Sequence, residues 1–142
     1  MVQKEKELLL KDLCCRLPYG IKIKTSYDKI DEPIELRFIN PKNESFAIGS
    51  DFTLISGLDF DTYECKPYLF PLSSITYKQF LSIQKYLKDC EYKCAYAVDT
   101  CIFNSIKTYS IKVLDYFHKW HIDYRGLISM RLAIDATNLN IY

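Results

Sequence analysis

Residues 8–25 constrain the fold more than any other stretch of the chain. Leu9 or Leu10, Leu13 or Cys14, and Leu17 fall at helical spacing within a segment running roughly from Gln3 to Leu17. Pro18-Tyr19-Gly20 then stops the helix, because the residue before a proline is pushed out of the α region and glycine supplies a permissive turn. Directly beyond, Ile21, Ile23 and Thr25 alternate with Lys22 and Lys24, the period of a strand with one wet face. The chain therefore begins as an amphipathic helix that is halted abruptly and turned into a sheet.

Further alternation follows. Pro33 precedes Ile34, Leu36 and Phe38, which alternate with Glu35 and Arg37, predicting a second strand with Phe38 on its apolar side. Asn40-Pro41-Lys42-Asn43 is a turn cluster, and Phe46–Ile48 and Asp51–Leu58 read as strands linked at Gly49-Ser50. Pro67 and Pro71 bracket a short extended piece suited to an edge strand or a crossing connection. Thr76-Tyr77-Lys78-Gln79 fits a capping box ahead of the stripe Phe80, Ile83 and Leu87. Ile102, Ile106, Tyr109, Val113, Tyr116 or Phe117, and Trp120 lie on one face of a longer helix, and Asp123 is placed to cap a last short helix holding Leu127 and Ile128. The expected class is α+β: an N-terminal helix, a small antiparallel sheet with a barrel-like closure as one form, then two to three C-terminal helices packed on it. One domain is expected over 1–142, with a helix-plus-sheet half at 1–72 and a helical half at 73–142.

Composition narrows the function classes. With 19 basic and 18 acidic residues the net charge is +1, and no block of like charges appears, so electrostatics gives no support to a nucleic-acid role. No apolar run approaches the roughly 18 residues of a membrane span, and the N-terminus lacks a signal peptide's pattern, so a cytosolic protein is expected. Six cysteines fit that compartment as reduced thiols. Lys outnumbers Arg fifteen to four and Ile outnumbers Ala sixteen to five, the usage of an AT-rich genome, which also accounts for the twelve tyrosines.

Candidate sites are few. His118, His121 and Asp123 concentrate the metal-competent side chains, but a facial triad needs a distant second histidine and the chain has two histidines in all. A helix-terminal role beside the helix dipole is the simpler account. Cys90 and Cys94 have a spacing that zinc tolerates, yet Cys101 stands alone without a second tight pair. Asp59, Asp61 and Glu64 read as the wet side of a loop. Trp120, Tyr124 and Arg125 are candidates for partner contact, with closure of the core as the competing role for Trp120. Lys22, Lys24 and Arg37, with Tyr19 and Tyr27, are the residues a strand-face nucleic-acid site would use. No phosphate-cradling glycine loop, nucleophile elbow or His-Glu-x-x-His occurs, and no cofactor is expected.

Three segments carry a resemblance: Lys11-Asp12-Leu13-Cys14-Cys15-Arg16-Leu17-Pro18-Tyr19-Gly20; Lys66-Pro67-Tyr68-Leu69-Phe70-Pro71-Leu72-Ser73-Ser74-Ile75-Thr76; and Gly126-Leu127-Ile128 running to Leu132-Ala133-Ile134-Asp135-Ala136. Together they resemble a group of small proteins of gut Bacteroidales, their phages and their mobile elements. The resemblance implies no catalytic residue, and residues 27–59 and 89–104 lie outside it. The expectation is a non-enzymatic accessory protein of a phage or mobile element that binds a host or phage protein, such as a defence protein it would inhibit, in the cytoplasm of the bacterial host. The alternatives are a small-sheet nucleic-acid binder and, third, a Cys/His-based enzyme or metal protein.

Overall fold

The computed structural model describes residues 1–50, 52–87 and 110–142. Helix α1 spans Gln3–Arg16 and buries Leu9, Leu10 and Leu13 on one face. Glu5 accepts a hydrogen bond from the Val2 amide at 3.0 Å, satisfying one of the donors a helix start leaves open. At the other end Pro18 sits in a tight 3-10 turn, Leu17–Tyr19, and Gly20 takes a left-handed φ of +68°. The chain then enters β1 (Lys22–Thr25), where Ile23 and Thr25 point inward and Lys24 outward.

Strands β2 (Ile34–Asn40), β3 (Ser45–Gly49), β4 (Leu54–Asp59) and β5 (Cys65–Pro71) extend the sheet, followed in sequence by α2 (Tyr77–Gln84), α3 (Ile111–Lys119), β6 (Ile122–Asp123) and β7 (Ile134–Asp135). The strand order is β4-β3-β2-β1-β5-β6, with β7 also on β5. The pairings from β4 through β5 are antiparallel, while β6 and β7 run parallel to β5. The fold is thus α+β with an open sheet rather than a barrel: β4 and β6 end the order.

Two apolar clusters form among the described residues. The larger packs α1 on Ile21, Ile23, Leu36, Ile39, Phe46, Ile48, Leu58 and Leu69, and is joined by Leu127, Leu132 and Ala133 from the C-terminal tail. Each fully buried leucine there contributes about 1.5–3 kcal/mol. The smaller gathers Ile75, Ile83, Val113, Phe117 and Ile122, so α2 and α3 share a core of their own. Thr76 caps α2 as the spacing predicts: its hydroxyl accepts from the Gln79 amide at 3.2 Å and its amide donates to the Gln79 side chain at 2.8 Å.

Four local expectations are corrected. The Pro67–Pro71 piece is no edge or crossing; it is β5, an interior strand with β1 on one side and the short β6 and β7 also paired to it. Pro67 is tolerated because it closes the β1 ladder, opposite Ile23, and the remaining β5 groups pair with the tail instead, through Phe70 N to His121 O at 2.9 Å and Ala136 N to Leu69 O at 2.8 Å. In β2 the pairing slips between Leu36 and Phe38, so Ile39 turns inward and Phe38 outward. Helix α3 starts at Ile111, because Ser110 is extended and its hydroxyl accepts from the Val113 amide at 3.4 Å; Ile102, Ile106 and Tyr109 lie outside the described residues. The last short helix does not form. Gly126 (φ +74°) and Arg131 (φ +61°) both adopt left-handed conformations, leaving room only for turns between them.

Candidate interaction surface

The candidate residues near the chain end meet in the interior. Arg16, fully buried on α1, donates to Asp12 through Nε at 2.6 Å and Nη2 at 3.1 Å, and to the Ile122 carbonyl at 2.8 Å. It also reaches the Phe117 carbonyl near the end of α3 at 3.4 Å. Arg125 donates to the same Asp12 carboxylate at 3.1 Å and lies over the Tyr124 ring, 4.8 Å from its centroid. One carboxylate therefore serves two guanidinium groups, and α1, α3 and β6 are tied together at this point.

His118, His121 and Asp123 surround that network, and each has a packing role. His118 Nε2 is 2.9 Å from the Tyr124 hydroxyl. His121, at φ +55°, stacks on the Tyr142 ring with centroids 4.1 Å apart, and its Nδ1 is buried without a hydrogen-bond partner. Burial first, and the Arg16 charge second, hold both imidazoles below their ordinary range, His121 down to about 4. Asp123 does cap, as its position suggests, but it caps turns: its two oxygens accept from the Leu127 and Ile128 amides at 2.8 Å each. No group of three His, Cys, Asp or Glu able to hold a metal occurs among the described residues. Cys90, Cys94 and Cys101 lie outside them. Cys65 is buried and Cys14 partly desolvated, and both thiols are pushed above their usual range, the opposite of an activated nucleophile.

The other candidates divide in the same way. Trp120 is half-buried and packs against Tyr116 in a tilted pair, with centroids 4.9 Å apart, at the margin of the smaller core. Tyr124 is half-buried between Phe117 and the two guanidinium groups. Lys22 Nζ donates to the Ile141 carbonyl at 2.8 Å, and Arg37 pairs with Glu35 at 3.3 Å. Lys24 is exposed opposite Lys66, which is bridged to Glu64 at 2.7 Å. Lys22, Lys24 and Arg37 share the outer face of the neighbouring strands β1 and β2, but Glu35 and Glu64 are interspersed among them and pair with Arg37 and Lys66, so the face is mixed in charge rather than basic. Asp59 takes the Asp61 and Thr62 amides at 3.2 and 2.7 Å, while Asp61 joins Glu44 in holding the buried Lys6 ammonium of α1.

What sequence reasoning missed is an apolar surface at the β4 end of the sheet. Phe52 in the β3–β4 hairpin is 96% exposed, Leu54 on the edge strand 64%, and Phe38 on β2 55%. The hairpin holds them together: Ser50 N donates to Thr53 O at 3.0 Å, Gly49 pairs with Leu54, and Phe38 faces Ala47 across β2–β3. Gly49 is required there, since a Cβ would fall 2.0 Å from the Thr53 carbonyl oxygen. β4 carries neither lysine nor proline, the residues that commonly blunt an exposed edge, although a bulge at Gly57 (φ +79°) interrupts its far half. The signal in the sequence was Phe52 itself, a large apolar residue in a hairpin; the outward turn of Phe38 had none, because it depends on the slip in register. Compared with protein-family models, curated proteins and solved structures, the chain matches none.

Proposed function

We propose that this chain is a non-enzymatic protein-binding module that engages its partner through the β4 edge and the Phe38–Phe52–Leu54 surface. The observation that carries this reading is the exposure of three large apolar side chains on and beside a sheet edge whose strand carries no lysine or proline. Covering three such side chains yields about 5 kcal/mol, less than or comparable to the cost of association, so apolar contact alone does not hold a partner. Main-chain hydrogen bonds to the open side of β4 around Leu54 and Ile55 supply the remainder, as in strand addition. The resemblance to proteins of Bacteroidales phages and mobile elements supports a host or phage protein as that partner, with a defence protein as one such target. The nucleic-acid alternative has less support, because the face that carries Lys22, Lys24 and Arg37 also carries Glu35 and Glu64 and is mixed in charge.

The test compares the native chain with the doubly substituted F52D/L54K in pull-downs from a Bacteroidales lysate, with light scattering on the purified proteins. The expected result is a specific protein retained by the native chain and lost with F52D/L54K, whose thermal unfolding is unchanged. Equal recovery by both, or no specific protein with either, defeats the reading; self-association abolished by the substitutions would instead assign the surface to a second copy of this chain.

A further inference from the structure

A second feature, sharing no residue with the β4 surface, lies where the end of α1's stop turn meets α2 and α3. A cleft of about 270 Å³ is lined by Tyr19, Tyr86, Lys112, Asp115, Tyr116 and Lys119. Four of these come from α3 at i, i+3, i+4 and i+7, so a single helical face presents two ammonium groups, a carboxylate and a ring. Tyr19 is delivered by the turn that Pro18 and Gly20 enforce, and Tyr86 by the turn after α2, whose Tyr86 amide donates to the Ile83 carbonyl at 2.8 Å. The Tyr86 and Tyr116 ring centroids are 6.4 Å apart, and Tyr116 rests on Trp120. A third lysine, Lys85, lies over the Tyr86 ring at 4.9 Å.

We propose that this cleft is a binding site for a single nucleotide unit, a planar base joined to a phosphate. Tyrosine faces bind flat π-systems regardless of base identity, and lysines recruit phosphate. Lys112 and Lys119 against Asp115 leave the lining with an excess of one positive charge, and Lys85 beside the Tyr86 ring adds a second nearby, a balance that favours an anion over a cationic ligand. A neutral sugar would use the rings and Asp115 but leave the lysines idle. At about 270 Å³ the cleft lies just below the usual range for drug-sized ligands, so it accommodates one unit rather than a dinucleotide. Asp115 is positioned to accept from an exocyclic amine or a ribose hydroxyl.

The chain has one tryptophan, Trp120, packed against the Tyr116 ring that lines the cleft, which gives a direct reporter. AMP titrated into the full chain at low salt is expected to bind one to one by calorimetry and to change Trp120 fluorescence with the same midpoint. Adenosine and inorganic phosphate alone should each bind at least about tenfold more weakly than AMP. The exposed pair K112E/K119E should weaken AMP by at least about tenfold while leaving the melting curve intact. A 5′-phosphorylated oligo-deoxyadenylate distinguishes the sources: tighter binding than AMP, falling steeply with salt, assigns the site to a strand terminus, and equal or weaker binding assigns it to a free nucleotide. No saturable AMP signal, phosphate binding as tightly as AMP, or K112E/K119E binding AMP unchanged would overturn the proposal.

Discussion

Arg16 carries a full charge into a position without solvent contact, and the carboxylate that offsets it, Asp12, is equally buried. The second arginine on that carboxylate, Arg125, keeps about 20% of its side chain in solvent. The two contacts therefore differ in consequence. Replacing Asp12 by alanine leaves Arg16 buried and uncompensated and is expected to cost about 3–5 kcal/mol, whereas Arg125→Ala removes a partly hydrated partner and should cost about 1 kcal/mol. Urea unfolding of both variants checks the order; equal losses would mean that solvent reaches Arg16. His121 gives the second residue-scale prediction. It is neutral in the folded protein, its pKa lowered from 6.5 to about 4 by burial and by Arg16, with Asp12 and the Tyr19 carbonyl opposing. Because the unfolded chain takes up the proton first, this contribution is complete above about pH 6.5 and is lost as pH falls toward 4. The loss amounts to at most about 3 kcal/mol. His121→Phe should flatten that acid limb of the stability profile; an unchanged slope between those pH values would show that other groups set it.

At the scale of elements, the C-terminal tail is a structural component rather than a free segment. Leu127 and Ala136 are fully buried, Leu132 and Ala133 nearly so, and β7 pairs with Tyr68 and Leu69 of the interior strand β5. Truncation before Leu127 removes two core leucines, each of which costs about 2–5 kcal/mol when cut to alanine, against a total stability of about 5–15 kcal/mol. The truncated chain is expected to lack a cooperative melting transition by circular dichroism; a truncation that melts normally would show that the tail is dispensable. Much of this was legible in the sequence, because helix stops and caps are local chemistry. Pro18 with Gly20, the Thr76–Gln79 box and the amide-accepting Asp123 all do what their side chains dictate. The errors arose where a partner decides. Pro67 looked like an edge residue because nothing in the sequence announces that β6 and β7 satisfy the strand beyond it. Phe38 looked inward because a period of two does not reveal a slip in pairing. The tyrosine cleft escaped notice because its three tyrosines come from positions 19, 86 and 116, of which only Tyr116 shares a helical face with the lysines.

Across the whole molecule, the segments 11–20, 66–76 and 126–136 converge on one junction. The first contributes Asp12 and Arg16, the second is β5 and the turn after it, and the third supplies Leu127, Leu132 and β7. Arg16 bonds the carbonyls of Phe117 and Ile122, which places the larger core's helix in direct contact with the smaller core. β5 does the same through its own length, since it pairs with β1 at Cys65–Pro67 and with β6 at Phe70 and Pro71. A chain stitched in this way should unfold as one unit, although the sequence divides readily into a sheet half and a helical half. The two cores can be followed separately, because Trp120 sits at the margin of the smaller one while far-UV circular dichroism is weighted by the whole backbone. The expected outcome is coincident urea midpoints by fluorescence and dichroism in the native chain. In Asp12→Ala the midpoints should separate, with the fluorescence transition moving to lower urea as α3 loses its tie to α1. Separate midpoints already in the native chain would mean that the halves are autonomous and that the junction holds them together without making them cooperative.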